Sequence, residues 1–108
     1  MDQALLADIR KAIAENKVVL FMKGNPDFPQ CGFSAATVQV LREIGVPFAS
    51  MDVFSHPDFR ATLKEFSDWP TFPQLYVDGK LVGGCDIVRE MHARGELKSL
   101  IDRAVGKN

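Results

Sequence analysis

"VVLFMKGNPDFPQCGFS", residues 18–34, holds three kinds of local order in immediate succession. Residues 18–22 are consecutive apolar β-formers in a run too short for a buried helix, and they read as a buried strand. Residues 23–30 contain two prolines and a glycine and read as a loop. Cys31 then stands directly ahead of Gly32, where helical apolar spacing begins. A lone thiol therefore falls between a first strand and its following helix, with Ser34 where a second cysteine would complete C-x-x-C.

Working outward, Phe33, Ala36, Val40, Leu41 and Ile44 share one helical face, and Gly45 supplies a left-handed stop. Upstream, Leu5, Ile9, Ala12 and Ile13 make an amphipathic helix that ends near Asn16. Downstream, residues 48–53 read as a second strand. The helix between the two strands makes them parallel with a right-handed crossover, a βαβ unit. Ser55, His56, Pro57 and Asp58 resemble a capping box that opens a helix facing inward through Phe59, Leu63 and Phe66, and Trp69-Pro70 ends it. Within residues 73–84, Asp78-Gly79 separates two apolar runs, which predicts an antiparallel hairpin. Two more helices follow, one using Ile87, Val88 and Met91 and stopped by Gly95, the other using Leu97, Leu100, Ile101 and Ala104. Residues 106–108 are expected to fray. The predicted class is α/β, a four-stranded mixed sheet flanked by about five helices, in the element order of a thioredoxin-like domain.

At 108 residues and 46% hydrophobic content the chain fits a single domain over 1–108 with a core that needs no disulfide staples. A net charge of −1 with interspersed signs gives no nucleic-acid footprint and no polybasic membrane patch. No apolar run approaches the ~20 residues of a membrane span. "MDQALLADIRKAIAENK" lacks the apolar centre of a signal peptide, so a cytoplasmic protein is expected. Two cysteines, Cys31 and Cys85, make no disulfide framework.

At a helix N-terminus, free backbone N–H groups and the helix dipole favour a thiolate, and Lys23 across the loop adds positive charge. The plain alternative is a small buried cysteine. Ser34 cannot form a disulfide, and Cys85 lies in a different turn, where an internal link needs Cα atoms within ~7 Å. The thiol is thus expected to react with, or bind beside, something from outside the chain. His56 and His92 have no paired spacing with either cysteine, which argues against zinc. Pro73 opens its strand with either a trans or a cis bond; the cis form would turn the Phe72 backbone outward, toward an extended peptide. Arg60 and Lys64, one turn apart, have a solvated face as their ordinary reading, and Asp86 has that of a plain N-cap.

"MKGNPDFPQCGFS" (22–34), "WPTFPQLYVDG" (69–79) and "LVGGCDIVREM" (81–91) together resemble the signature blocks of the monothiol CGFS-type glutaredoxins, and the resemblance covers nearly the whole chain. It implies a glutathione site. Cys31 is the reactive and metal-ligating thiol, Lys23 and Arg60 take the glycyl carboxylate, and Phe72 pairs by its backbone across a cis bond to Pro73. The Gly83-Gly84 pair lets backbone approach the ligand, and the helix starting at Cys85-Asp86 holds the γ-glutamyl carboxylate, with Asp86 facing the ammonium. Lys64 stays unassigned. The resemblance further implies a 2Fe–2S cluster shared by a homodimer, each copy contributing Cys31 and one glutathione thiolate. Cluster transfer and assembly, iron homeostasis, and pairing with BolA-type and iron–sulfur client proteins belong to the same expectation. Cys85 as a direct ligand is the alternative coordination. The alternative function is glutathione-dependent thiol–disulfide exchange with Cys31 as nucleophile, and a third is a metal-free adaptor. The loop 23–30, longer than in dithiol glutaredoxins, is expected to bias the aim of the bound sulfur.

Overall fold

The structure, a computed structural model, describes residues 2–106. In chain order the elements are α1 (Gln3–Glu15), β1 (Val18–Met22), α2 (Gly32–Ile44), β2 (Ala49–Asp52), α3 (Phe59–Ser67), β3 (Gln74–Val77), β4 (Lys80–Gly83), α4 (Cys85–Ala93) and α5 (Glu96–Ala104). The strands form one sheet in the order β2-β1-β3-β4. β1 runs parallel to β2, with Val19 opposite Ala49 and Met22 opposite Asp52, and antiparallel to β3. β3 pairs antiparallel with β4. The expected four-stranded mixed sheet with five helices is therefore present.

Every residue of β1 is buried, because the central strand is covered on both faces. Its alternation sorts the core into two clusters. Val18, Leu20 and Met22 pack with Leu41, Val88 and Leu97 under α2, α4 and α5. Val19 and Phe21 pack with Ile9, Phe59, Leu63 and Tyr76 under α1 and α3. The Phe21 ring meets the Tyr76 ring edge-on, with centroids 5.4 Å apart.

Local signals explain most of the boundaries. Asp78 (φ 52°) and Gly79 (φ 79°) are both left-handed, as a two-residue hairpin turn of matching twist requires. Gly45 ends α2 at φ 80°, its N–H donating to the Leu41 carbonyl at 3.0 Å.

Two expectations differ from the structure. The buried face of α2 is Ser34, Thr37, Val38, Val40 and Leu41, whereas Phe33 is 64% exposed. Both hydroxyls go inside because each has a partner: Ser34 Oγ accepts the Lys23 N–H at 3.1 Å, and Thr37 Oγ1 donates to the Phe33 carbonyl at 2.9 Å. The capping box at 55–58 does not form, and α3 begins at Phe59, capped by no side chain. The Ser55 hydroxyl instead donates back to the Asp52 carbonyl at 2.7 Å, and His56 Nδ1 accepts the Asp58 N–H at 3.0 Å. The fraying expected at the C-terminus concerns Lys107 and Asn108, which lie outside the described residues.

The loop before Cys31 is held at both ends. The Gln30 N–H donates to the Lys23 carbonyl at 2.8 Å, the Gly24 N–H donates to Asp52 Oδ1 at 3.0 Å, and Arg42 pairs with Asp27 at 2.9 Å. Gly24 (φ 87°) has no room for a side chain, since a Cβ there would lie 2.5 Å from the Phe28 carbonyl oxygen. Gly45 has a similar φ but open space around it. Gly45→Ala should cost about 1–2 kcal/mol, the ordinary left-handed penalty, and Gly24→Ala roughly twice as much, because backbone must also move. Urea unfolding with an unchanged m-value would measure both, and equal losses would refute the crowding at Gly24.

Candidate functional site

Cys31 is the N-cap of α2, in extended conformation (φ −155°, ψ 156°). Its sulfur accepts the Ser34 N–H at 3.3 Å and lies 3.3 Å from Ser34 Oγ. Because Ser34 Oγ already accepts the Lys23 N–H, its own proton is free to point at a thiolate. The largest single influence on the thiol is burial, which disfavours ionisation. The Ser34 hydroxyl, the Ser34 and Phe33 N–H groups and the Lys23 charge together outweigh it, so the pKa lies below its ordinary value of 9.0. The sulfur remains partly exposed.

Next to it lies an open groove of about 520 Å³ whose walls include Lys23 and Phe33, although not Cys31 itself. α3 contributes Arg60 and Lys64, the loop that follows it contributes Trp69 to Phe72, and α4 contributes its first turn. Lys23, Arg60 and Lys64 have no acidic partner among the described residues, and Asp86 is the one carboxylate on the groove wall. The N-cap of α4 is Gly84, with no side-chain bond, so Asp86 in the first turn is not the cap that the plain reading had it. The N–H groups of Cys85, Asp86 and Ile87, at the start of α4, thus have no backbone partner among the described residues. The Phe72–Pro73 bond is cis, as expected, and neither the N–H nor the carbonyl of Phe72 has a partner among the described residues. Trp69 Nε1, also on this wall, is buried without a hydrogen bond.

The structure thus brings Lys23, Arg60, Phe72, Cys85 and Asp86 to one groove. Cys85 is only 7% exposed and packs at the base of α4. Gly83 (φ 145°) has no room for a side chain, since a Cβ there would lie 2.7 Å from Ile87 Cδ1, whereas a Cβ at Gly84 would meet the Pro73 carbonyl oxygen only at ordinary contact distance, 3.4 Å. Sequence reasoning named Lys64 but left it unassigned, and it missed the place of Trp69 on the groove and the outward turn of Phe33. For Lys64 the signal was present, since its four-residue spacing from Arg60 puts both on one side of α3. His56 takes no part in the groove. It meets Asp2 and Asp58, but its Nδ1 accepts a backbone N–H, which leaves the proton on Nε2, 3.5 Å from Asp2 Oδ2. That arrangement is one backbone hydrogen bond and a long contact to a carboxylate, whereas a metal would need the Nε2 lone pair.

A mixed sheet carrying a single N-cap thiol next to a groove of unpaired cations defines a thioredoxin-like monothiol domain. The Glutaredoxin family model matches residues 18–82, and the chain belongs to that family. Glutaredoxin 4 of Escherichia coli strain K12 is 56% identical over 99 residues, covering 92% of this chain and 86% of the relative. A probable monothiol glutaredoxin 2 of Rickettsia typhi is 52% identical over 101 residues, covering 94% and 91%. Among solved structures, reduced apo GrxS14 of poplar superposes with a TM-score of 0.84 at 48% identity, covering 95% of this chain and 94% of that one. These likenesses identify a monothiol glutaredoxin with a thioredoxin-like fold.

A thiol pKa depressed on folding adds stability that is absent below the folded pKa and complete above 9.0, the value in the unfolded chain. The difference in unfolding free energy between the wild type and Cys31→Ser should therefore grow as pH rises toward 9.0. In the Ser34→Ala background this growth should shrink, and the thiolate ultraviolet absorbance of Cys31 should appear at higher pH. An unchanged thiolate titration in Ser34→Ala would rule out the hydroxyl as a donor.

Proposed function

We propose that this chain binds glutathione in the groove and carries a 2Fe–2S cluster between two copies of itself, passing it to other proteins. The observation that supports this most is the pairing of three unpartnered cations with an uncapped helix start on one groove beside a thiol of lowered pKa. Glutathione has a carboxylate at each end and a thiol between them. Lys23 and Arg60 take the glycyl carboxylate, with Lys64 now added from the same wall. The α4 N–H groups take the γ-glutamyl carboxylate, Asp86 faces the ammonium, and the free N–H and carbonyl of Phe72 pair with the cysteinyl unit. Cys85 supports the base of the site by packing.

The residues present fit a cluster as cargo only with help from outside. Such a cluster ordinarily takes four thiolates, and Cys85 is buried, so one chain offers Cys31 alone at an open position. Cys31 and one glutathione from each of two copies complete the set. Small exchangeable ligands suit transfer, and the partners are iron–sulfur client proteins and a BolA-type protein, in a reducing compartment such as the cytoplasm. Residues 1–108 act in this reading as a single glutaredoxin domain.

Reconstitution with iron, sulfide and reduced glutathione under anaerobic conditions should give a coloured dimer in size-exclusion chromatography. Cys31→Ser or omission of glutathione should give a colourless monomer. Colour that forms without glutathione, or survives in Cys31→Ser, would sink the reading. A colourless wild type that rapidly reduces glutathione mixed disulfides would make the chain an oxidoreductase instead.

A further inference from the structure

We infer that Phe54 is a positioning residue, holding the Arg60 guanidinium at the groove before ligand arrives; this rests on the proposed glutathione site. The Arg60 Cζ lies 5.3 Å from the centroid of the Phe54 ring, within reach of a cation–π contact. Arg60 forms no ion pair and no hydrogen bond among the described residues, so this ring is its one specific contact. Phe54 is 44% exposed and lies outside the buried core clusters, so its ring is available at the surface to the guanidinium. Its backbone is nevertheless fixed. The Phe54 N–H donates to Asp52 Oδ1 at 2.8 Å, and the next residue bonds the Asp52 carbonyl through both its N–H (3.0 Å) and its hydroxyl (2.7 Å).

The same Asp52 oxygen accepts the N–H of Gly24 at 3.0 Å, immediately after Lys23. One carboxylate therefore anchors both the platform under Arg60 and the chain beside Lys23, so the two cations assigned to the glycyl carboxylate hang from one support. A free arginine loses rotamer freedom when it binds an anion, and a guanidinium stacked in advance loses less. Stacking leaves the guanidinium edge, which carries its N–H donors, available to a carboxylate.

The test is a double-mutant cycle on the dissociation constant of reduced glutathione, with Phe54→Leu, Phe54→Tyr and Arg60→Ala in the full chain. Phe54→Leu keeps apolar bulk without the ring and should weaken binding roughly two- to five-fold, while Phe54→Tyr should restore wild-type affinity. Thermal unfolding of all three should match the wild type. In the Arg60→Ala background, Phe54→Leu should change nothing further. If Arg60→Ala weakens binding but Phe54→Leu does not, or weakens it equally in both backgrounds, the positioning role is overturned and the groove assignment stands. If Arg60→Ala leaves affinity intact, the groove assignment itself fails and the inference falls with it.

Discussion

The bond from the Ser34 N–H to the Cys31 sulfur joins fold and chemistry at one atom. A helix start has N–H groups without internal partners, and oxygen side chains usually satisfy them. Here a sulfur takes that place, and a thiolate accepts such a bond better than a thiol does. Capping α2 and favouring ionisation are therefore one interaction. Its position follows from β1, which is locked between β2 and β3 and buried along its whole length, so the chain leaving it returns to a fixed place. Everything in the groove is arranged around that exit point: Lys23 at the strand end, α3 after the parallel crossover, and α4 after the hairpin.

The fold was legible wherever one residue type answered one geometric demand. Asp78-Gly79 had to be a left-handed pair, Gly45 had to end a helix, and five apolar residues at 18–22 had to be covered on both faces. The misreadings share a cause, which is that polarity does not say where a hydroxyl finds its partner. Ser34 and Thr37 are fully buried because the bonds from Lys23 N–H and to the Phe33 carbonyl satisfy them, so α2 turns Phe33 outward. Ser55 had the pattern of a cap, yet its hydroxyl went to the preceding strand, since Asp52 was closer to hand than the turn of α3. Of the site, the motif residues were legible and the wall between them was not. Trp69 read only as a helix end, and Lys64 looked like any solvated lysine until the groove gave its side of α3 a purpose.

Serine at position 34 is more than a missing cysteine. Its oxygen lies buried between the Lys23 N–H and the sulfur, accepting from one and able to donate to the other. A thiol at that position would be a weaker acceptor for the Lys23 N–H and a weaker donor to Cys31. The single-cysteine site gains a hydroxyl that holds the loop entrance and supports the thiolate. It gives up the internal resolving group that a second cysteine at that position would supply.

Charge distribution points to the same division between structure and ligand. The carboxylates of Asp78, Asp27, Glu90 and Asp102 pair with lysines or arginines on the exposed surface, where such contacts add little to stability. The three cations of the groove have no such partner among the described residues, in a chain whose net charge is −1. Two of them rest near aromatic faces at Phe54 and Phe72, and under the proposed function this unpaired positive field in one concave place gives an anionic ligand both attraction and a preset geometry. The field matters most before contact, since it raises the local concentration of anions at the groove, and its reach contracts with ionic strength. Under the same proposal the aromatic supports matter on contact, since the cations do not have to search for their places.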